Sequence, residues 1–286
     1  MFLRLAAALA AAWALGGCSA LQLAYENADF WLRWRAGSYL DVHGKAAEDL
    51  DARIDDFLLW HRAKALPAYA RLSEEAARRV AAGAVSREDV VWGYDSFIGQ
   101  ARASLRAAAE RIAPLLDGLS AEQIRHMEQR FAEDNRKFAK EFLRGSEAER
   151  RKRRAKRVVE RLEDWVGELS QAQLERVAQY SARAPLYDEL RERDRRRLQA
   201  EFLGMVRARE ARKRLPERAA NWDAGRDPAY AAVVENARQA YLSLLLDLDR
   251  TLSAEQRAQL AAHFQRYARD FSVLAARAEP ERRPAQ

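Results

Sequence analysis

The side chains best suited to catalysis are thinly scattered in this chain. His43, His61, His126 and His263 form no His-x-x-x-His pair and no Glu-x-x-His pair. No two of them therefore share a helix face in the way a bound zinc or di-iron centre requires. Cys18 is the single cysteine. It is either a buried side chain, a reactive thiol or the first residue of a mature chain, and alone it makes no internal disulfide. The carboxylates of Glu48, Asp49, Asp51, Asp55 and Asp56 are numerous enough for paired acid–base work. At helical spacing, however, most of them form a solvated face opposite Leu50, Ile54, Phe57, Leu58 and Trp60. His61 sits beside that face and reads as a structural histidine. Asp134 and Asn135 interrupt an apolar stripe and read as a buried polar contact or a surface position. There is no Gly-rich phosphate loop and no Gly-x-Ser-x-Gly elbow. No catalytic residue, metal or cofactor is expected, and the chain reads as a non-enzyme.

Positive charge is the feature that remains. From Arg144 to Arg157 there are eight basic and two acidic side chains, centred on Arg150, Arg151, Lys152, Arg153, Arg154, Lys156 and Arg157. Arg191 to Arg197 holds five basic and two acidic residues, and Arg207 to Arg218 six and two. Such runs suit an anionic partner or, more blandly, a solvated helix face balanced by nearby acids. The choice between nucleic acid and other polyanions depends on compartment, which the N-terminus addresses.

Residues 1–17 have the layout of a signal peptide: Arg4, then an apolar run from Leu5 to Leu15, then small residues. The run is shorter than the roughly 20 residues that span a bilayer. Leu15-Gly16-Gly17-Cys18 resembles a bacterial lipobox, which implies cleavage before Cys18 and acylation with palmitate-type chains. By likeness to Gram-negative sorting, Ser19 in place of aspartate implies the outer membrane, with the domain facing the periplasm. Anionic lipid, glycan or envelope protein are then the available partners, the membrane is reached through the lipid, and nucleic acid is not expected.

Aromatic residues follow the cysteine closely: Tyr25, Phe30, Trp31, Trp34 and Tyr39. They can lie in the bilayer interface or pack onto the domain. Packing is favoured for most of them, because Glu26, Asn27 and Asp29 sit poorly at membrane depth. No flexible polar tether separates them from Cys18, so the domain is expected close against the membrane. Cys18-Ser19, Tyr25-Glu26-Asn27-Ala28-Asp29, Trp31, Trp34, Tyr39-Leu40-Asp41, Trp60-His61-Arg62 and Leu66-Pro67-Ala68-Tyr69 together resemble an uncharacterised family of Gram-negative lipoproteins. That resemblance implies a helical lipoprotein and carries no activity with it.

Charged residues make up 33% of the chain and hydrophobic ones 49%, with no run of alternating β-branched residues. This favours an all-α fold of antiparallel helical hairpins forming an elongated bundle. Helices are predicted near 21–36, 44–65, 67–82, 87–113, 120–144, 147–166, 170–183, 186–213, 228–249 and 253–277. Residues 1–17 form the signal, 18–278 the helical domain with a sub-division near 215–227, and 279–286 a disordered tail. Leu215 to Asp227 is the longest expected connection.

One short motif recurs. Leu119-Ser120-Ala121-Glu122-Gln123, Leu169-Ser170-Gln171-Ala172-Gln173 and Leu252-Ser253-Ala254-Glu255-Gln256 each place serine three residues before glutamine. That spacing predicts a capping box opening a helix. Downstream, Met127, Phe131 and Phe138 match Leu260, Phe264 and Phe271 in register. The motif also resembles the Leu-Thr-x-x-Gln signature of small periplasmic helical chaperones, which implies a second functional reading: a chaperone-like or stress-sensing protein that binds unfolded clients.

Overall fold

The computed structural model describes residues 20–277, which are helix and connection with no strand among them. The signal segment, Cys18 and the 279–286 tail lie outside the described residues. The helices are α1 (Ala20–Glu26), α2 (Ala28–Leu40), α3 (Lys45–Trp60), α4 (Leu66–Ala81), α5 (Arg87–Leu116), α6 (Ala121–Phe138), α7 (Glu147–Val166), α8 (Gln171–Arg183), α9 (Asp188–Arg207), α10 (Ala211–Ala220), α11 (Pro228–Asp249) and α12 (Ala254–Ala276). Two π-helical turns, His61–Ala65 and Ala139–Leu143, extend α3 and α6. The fold is an all-α bundle.

All three predicted capping boxes form. Ser120, Ser170 and Ser253 accept from the amides of Gln123, Gln173 and Gln256, and each glutamine Oε1 accepts from its serine amide at 2.9–3.1 Å. Two further boxes, Ser86 with Asp89 and Ser146 with Glu149, open α5 and α7 with an acid in place of glutamine. The difference has a structural use. A carboxamide keeps an N–H donor free after its oxygen has closed the box. Gln123 Nε2 donates to the Asp41 carbonyl at 3.0 Å, fixing α6 to the end of α2. Gln173 and Gln256 donate to each other.

The chain departs from its expected boundaries at three prolines, at one arginine and at Asn27, where the expected 21–36 helix divides into α1 and α2 and runs on to Leu40. Residues 45–81 run as one uninterrupted helical stretch instead of breaking before Pro67. The π turn makes this feasible: Leu66 N–H bonds the His61 carbonyl five residues back, widening the helix just before a proline that has no N–H to donate. α5 continues through Pro114 to Leu116, and α10 contains Pro216. The expected 186–213 helix breaks at Arg209, which has φ +54°. There Glu210 N–H reaches the Met205 carbonyl at 2.9 Å and Arg209 N–H the Val206 carbonyl at 3.1 Å, a Schellman turn without its usual glycine. Asp117, at the end of α5, then caps α10 from outside by accepting from the amides of Ala211 at 2.7 Å and Arg212 at 3.2 Å.

As a result, the long connection expected over 215–227 is helix up to Ala220. It lies along α5, where Arg102 bonds the Ala220 carbonyl at 3.3 Å and the Asp223 carboxylate at 2.8 Å.

Two apolar cores result. The larger joins Leu40, Leu50, Ile54, Leu58, Leu116, Ile124, Met127, Leu203 and Val206 from α2, α3, α5, α6 and α9. The smaller joins Val166, Leu169, Val177, Leu244 and Leu248 around α7, α8 and α11. The most extensive helix contacts link sequence-distant partners, α4 with α12 and α5 with α10. Ala70, Ser73 and Ala77 on α4 and Ala261 and Ala268 on α12 are buried. These small side chains let the two backbones approach closely.

Candidate functional site

The basic run on α7 divides by what its side chains meet. At about 100° per residue, positions 150, 151, 154 and 157 lie on one side of the helix, and the first three face the end of α8 and the start of α9. Arg151 donates to the carbonyls of Ala182 at 2.7 Å and Ala184 at 2.8 Å. Arg154 donates to those of Ser181 at 2.6 Å, Ala184 at 2.8 Å and Pro185 at 2.9 Å. The two guanidinium groups thus satisfy carbonyls that α8 leaves without intrahelical donors. Burial pulls the Arg154 pKa down. Arg150 is ion-paired with Glu189, and Arg153 donates to the Arg144 carbonyl. Arg150, Arg151 and Arg154 are therefore structural rather than open surface. Lys152, Lys156 and Arg157 are exposed.

Arg157 leads to a patch assembled from separate segments. Phe138 and Phe142, one helical turn apart across the second π turn, pack with centroids 4.8 Å apart and planes tilted by 31°. Arg157 lies 5.5 Å from the Phe142 ring and Arg191 5.3 Å. Arg191 is also 5.2 Å, and Arg195 6.0 Å, from Phe138. A guanidinium stacked on a ring keeps its in-plane N–H donors directed outward, the geometry that recognises carboxylate and phosphate. Arg195 is oriented by buried Asn135, whose Oδ1 accepts from Arg195 Nε at 2.7 Å and whose Nδ2 donates to Gln199 at 2.7 Å. Among the described residues, Arg157, Arg191 and Arg195 form no salt bridge. Two acids act on the patch: Arg195 helps to lower the Asp134 carboxyl, and burial pushes the Asp188 carboxyl above its usual range, against the pull of Arg191, Arg150 and Arg157.

Most of the third cluster is paired with acids. Arg207 pairs with Glu128, Arg214 with Glu210 at 2.8 Å and Arg218 with Glu201 at 2.8 Å.

The N-terminal aromatic residues also divide. Tyr25 stacks on His61 at 5.7 Å with its hydroxyl 2.9 Å from Nδ1, and Tyr39 packs on Phe131 at 5.6 Å while donating to Asp134. Phe30, Trp31 and Trp34 do not pack; they are 59%, 57% and 56% exposed. The expectation that most of these rings are buried fails for them, because α2 turns Ala36 and Leu40 to the core and Arg33 to Asp51 and Asp55. Their rings instead contact one another edge-on, Phe30 to Trp31 at 5.4 Å and Trp31 to Trp34 at 5.9 Å.

A family model described as a family of unknown function, DUF6279, matches residues 38–222. The chain belongs to that family. The DUF6279 match begins inside α2 and ends just past α10. It includes the whole arginine–phenylalanine patch and leaves out the Phe30–Trp34 ladder, α11 and α12. No curated protein and no solved structure matches the chain.

Within the DUF6279 region, His61 occupies the first π turn, enclosed by Tyr25, Phe57, Trp60 and Tyr69. Burial depresses its pKa and keeps the ring neutral near pH 7. The four aspartates of the acidic cluster of α3 are held in ion pairs, Asp49 with Arg53, Asp51 and Asp55 with Arg33, and Asp56 with Arg111. No group of three or more candidate metal ligands occurs among the described residues. Phe142 belongs to the patch without having been singled out from the sequence, while Phe138 was read only as part of an apolar stripe and Asn135 only as a buried polar contact or a surface position. The one available signal was matched spacing: Phe138 with Phe142 and Arg191 with Arg195 are both four residues apart, so each pair presents one face.

Proposed function

We propose that this protein is a non-enzymatic lipoprotein, acylated at Cys18 and held at the outer membrane, whose basic helical surface contacts an anionic envelope component. The observation that carries this reading is the convergence of Arg157, Arg191 and Arg195 on Phe138 and Phe142 with no salt bridge to balance them. A basic side chain near an anionic surface gains about 1 kcal/mol, so three or four of them give measurable, salt-sensitive binding. Phosphate-bearing headgroups or acidic glycans match the N–H donors that guanidinium groups carry. The lipobox-like tetrad supports the compartment, and the compartment disfavours nucleic acid.

The test is vesicle co-sedimentation of the chain starting at Ser19, which carries no acyl group. Preference for anionic over neutral vesicles, lost in an Arg157→Glu/Arg191→Glu variant, is the expected result. Equal binding to both vesicle types removes the proposal.

A second reading, a chaperone-like or stress-sensing protein, is favoured by Tyr94, Phe97 and Leu105, exposed large side chains within about 80° of one another around α5. It predicts salt-sensitive suppression of aggregation of a denatured client, and no suppression at stoichiometric excess rules it out.

A further inference from the structure

We infer that Phe30, Trp31 and Trp34 seat in the headgroup region of the bilayer, so that the protein is held by an aromatic ladder as well as by its acyl chains. The inference rests on the lipoprotein reading above. Three contiguous rings more than half exposed are an unusual surface for a soluble helix. Cleavage before Cys18 leaves only Cys18 and Ser19 ahead of α1, too little chain to cover three rings. The same shortness places them near the lipid, because the thirteen residues from Cys18 to Trp31 advance about 20 Å if helical.

The polar groups that argue against membrane contact are occupied elsewhere. Glu26 is ion-paired with Arg277, and Asn27 Nδ2 donates to the Leu23 carbonyl at 2.8 Å. Arg33 is held by Asp51 and Asp55, and Arg35 by Asp134. Asp29 lies about 160° around the helix from Trp31, about 140° from Trp34 and about 100° from Phe30, off the side that the two indoles share. What faces outward is two indoles and a phenyl ring. Tryptophan is enriched at membrane interfaces because its N–H reaches the headgroups while its rings leave water. No helix among the described residues is long and apolar enough to cross a membrane, so the contact is interfacial.

The mature acylated protein, reconstituted in phosphatidylethanolamine–phosphatidylglycerol vesicles, provides the test. Its Cys18 sulfur is a thioether, so Trp31→Cys introduces the only free thiol for a fluorescent label. Phe30→Cys is the second variant, and Gln171→Cys on exposed α8 is the reference. The expected result is at least threefold stronger quenching by shallow nitroxide lipids, and at least threefold weaker quenching by iodide, at positions 30 and 31 than at 171. Full iodide access at 30 and 31 in an acylated, vesicle-bound protein overturns the ladder while leaving the lipoprotein reading intact. Protection from both quenchers also overturns it, because the rings are then covered by protein. An unmodified Cys18 in the N-terminal peptide mass overturns both readings.

Discussion

Gln173 and Gln256 face each other across 83 residues of sequence, each Nε2 donating to the other's Oε1 at 3.0 Å. Gln173 Nε2 also reaches the Thr251 carbonyl at 3.1 Å, two residues before Ser253, and Gln256 Nε2 reaches the Glu168 carbonyl at 2.8 Å, two residues before Ser170. The two caps are thus related by a local two-fold, and every donor and acceptor of both carboxamides on that axis is satisfied. The recurrence of the motif in the α7–α8 and α11–α12 connections therefore has a tertiary consequence.

A double-mutant cycle measures this relationship. Gln173→Ala, at a fully buried position, is expected to cost about 1–3 kcal/mol in urea unfolding, by leaving buried groups unpaired. Gln256→Ala should cost less, with a coupling of about 0.5–3 kcal/mol between them. Strict additivity would show that the carboxamide pair does not act as a unit.

Asp249 ties three segments together. Its carboxylate accepts from Arg257 at 2.9 Å and from the Val85 amide at 2.9 Å, while Arg257 also donates to the Gly83 carbonyl at 2.6 Å. Asp249→Ala leaves a largely buried arginine unpaired, and a loss of about 3–5 kcal/mol is expected. A change below 1 kcal/mol in chemical denaturation would contradict that assignment.

His61 confers acid sensitivity. Its folded pKa lies below the ordinary value of 6.5 because burial disfavours the imidazolium. The unfolded chain therefore binds a proton first as pH falls, and stability present above pH 6.5 declines below it. Melting temperatures from pH 8 to 5 should fall in the native protein and fall less in His61→Phe. Parallel curves would refute the role.

Asp188 tempers the arginine–phenylalanine patch. Burial holds its carboxyl pKa above the usual range, so ionised Asp188 opposes folding as pH rises through that folded value, and stability is greater below it. Asp188→Asn removes this penalty and a negative charge from beside three arginines. It should leave stability at pH 7 unchanged or raised and tighten binding to anionic vesicles several-fold. Weaker binding would place the ligand elsewhere.

The Arg209 turn allows a further stability measurement. Arg209→Gly relieves a left-handed backbone at φ +54°, expected to be neutral or stabilising by up to about 1 kcal/mol. Asp117→Ala, which uncaps α10, should cost about 0.5–2 kcal/mol.

What could be read from the residues was local. Serine three before glutamine predicted three capping boxes, and 3.6-residue periodicity predicted most helices, because those interactions close within one or two turns. The break at Arg209 was not legible, since no glycine marks it and its cap comes from Asp117, 94 positions away. Pro67 read as a boundary because the π turn that accommodates it has no sequence signature. The charge of the α7 run was plain, but the division of its arginines was not.

An all-α chain, the three helix starts marked by serine and glutamine, and a positive charge concentrated in the middle third were all legible in the residues. Packing between distant segments is what sends Arg151 and Arg154 to the end of α8 and Arg157 to join Arg191 and Arg195 over two phenylalanines. It alone also decided that Phe30, Trp31 and Trp34 face outward. The reason is physical: an arginine carries the same charge and the same donors whether it meets a carbonyl or water, and a tryptophan the same apolar area whether covered or bare. Which of these each side chain meets depends on partners brought from distant segments by packing.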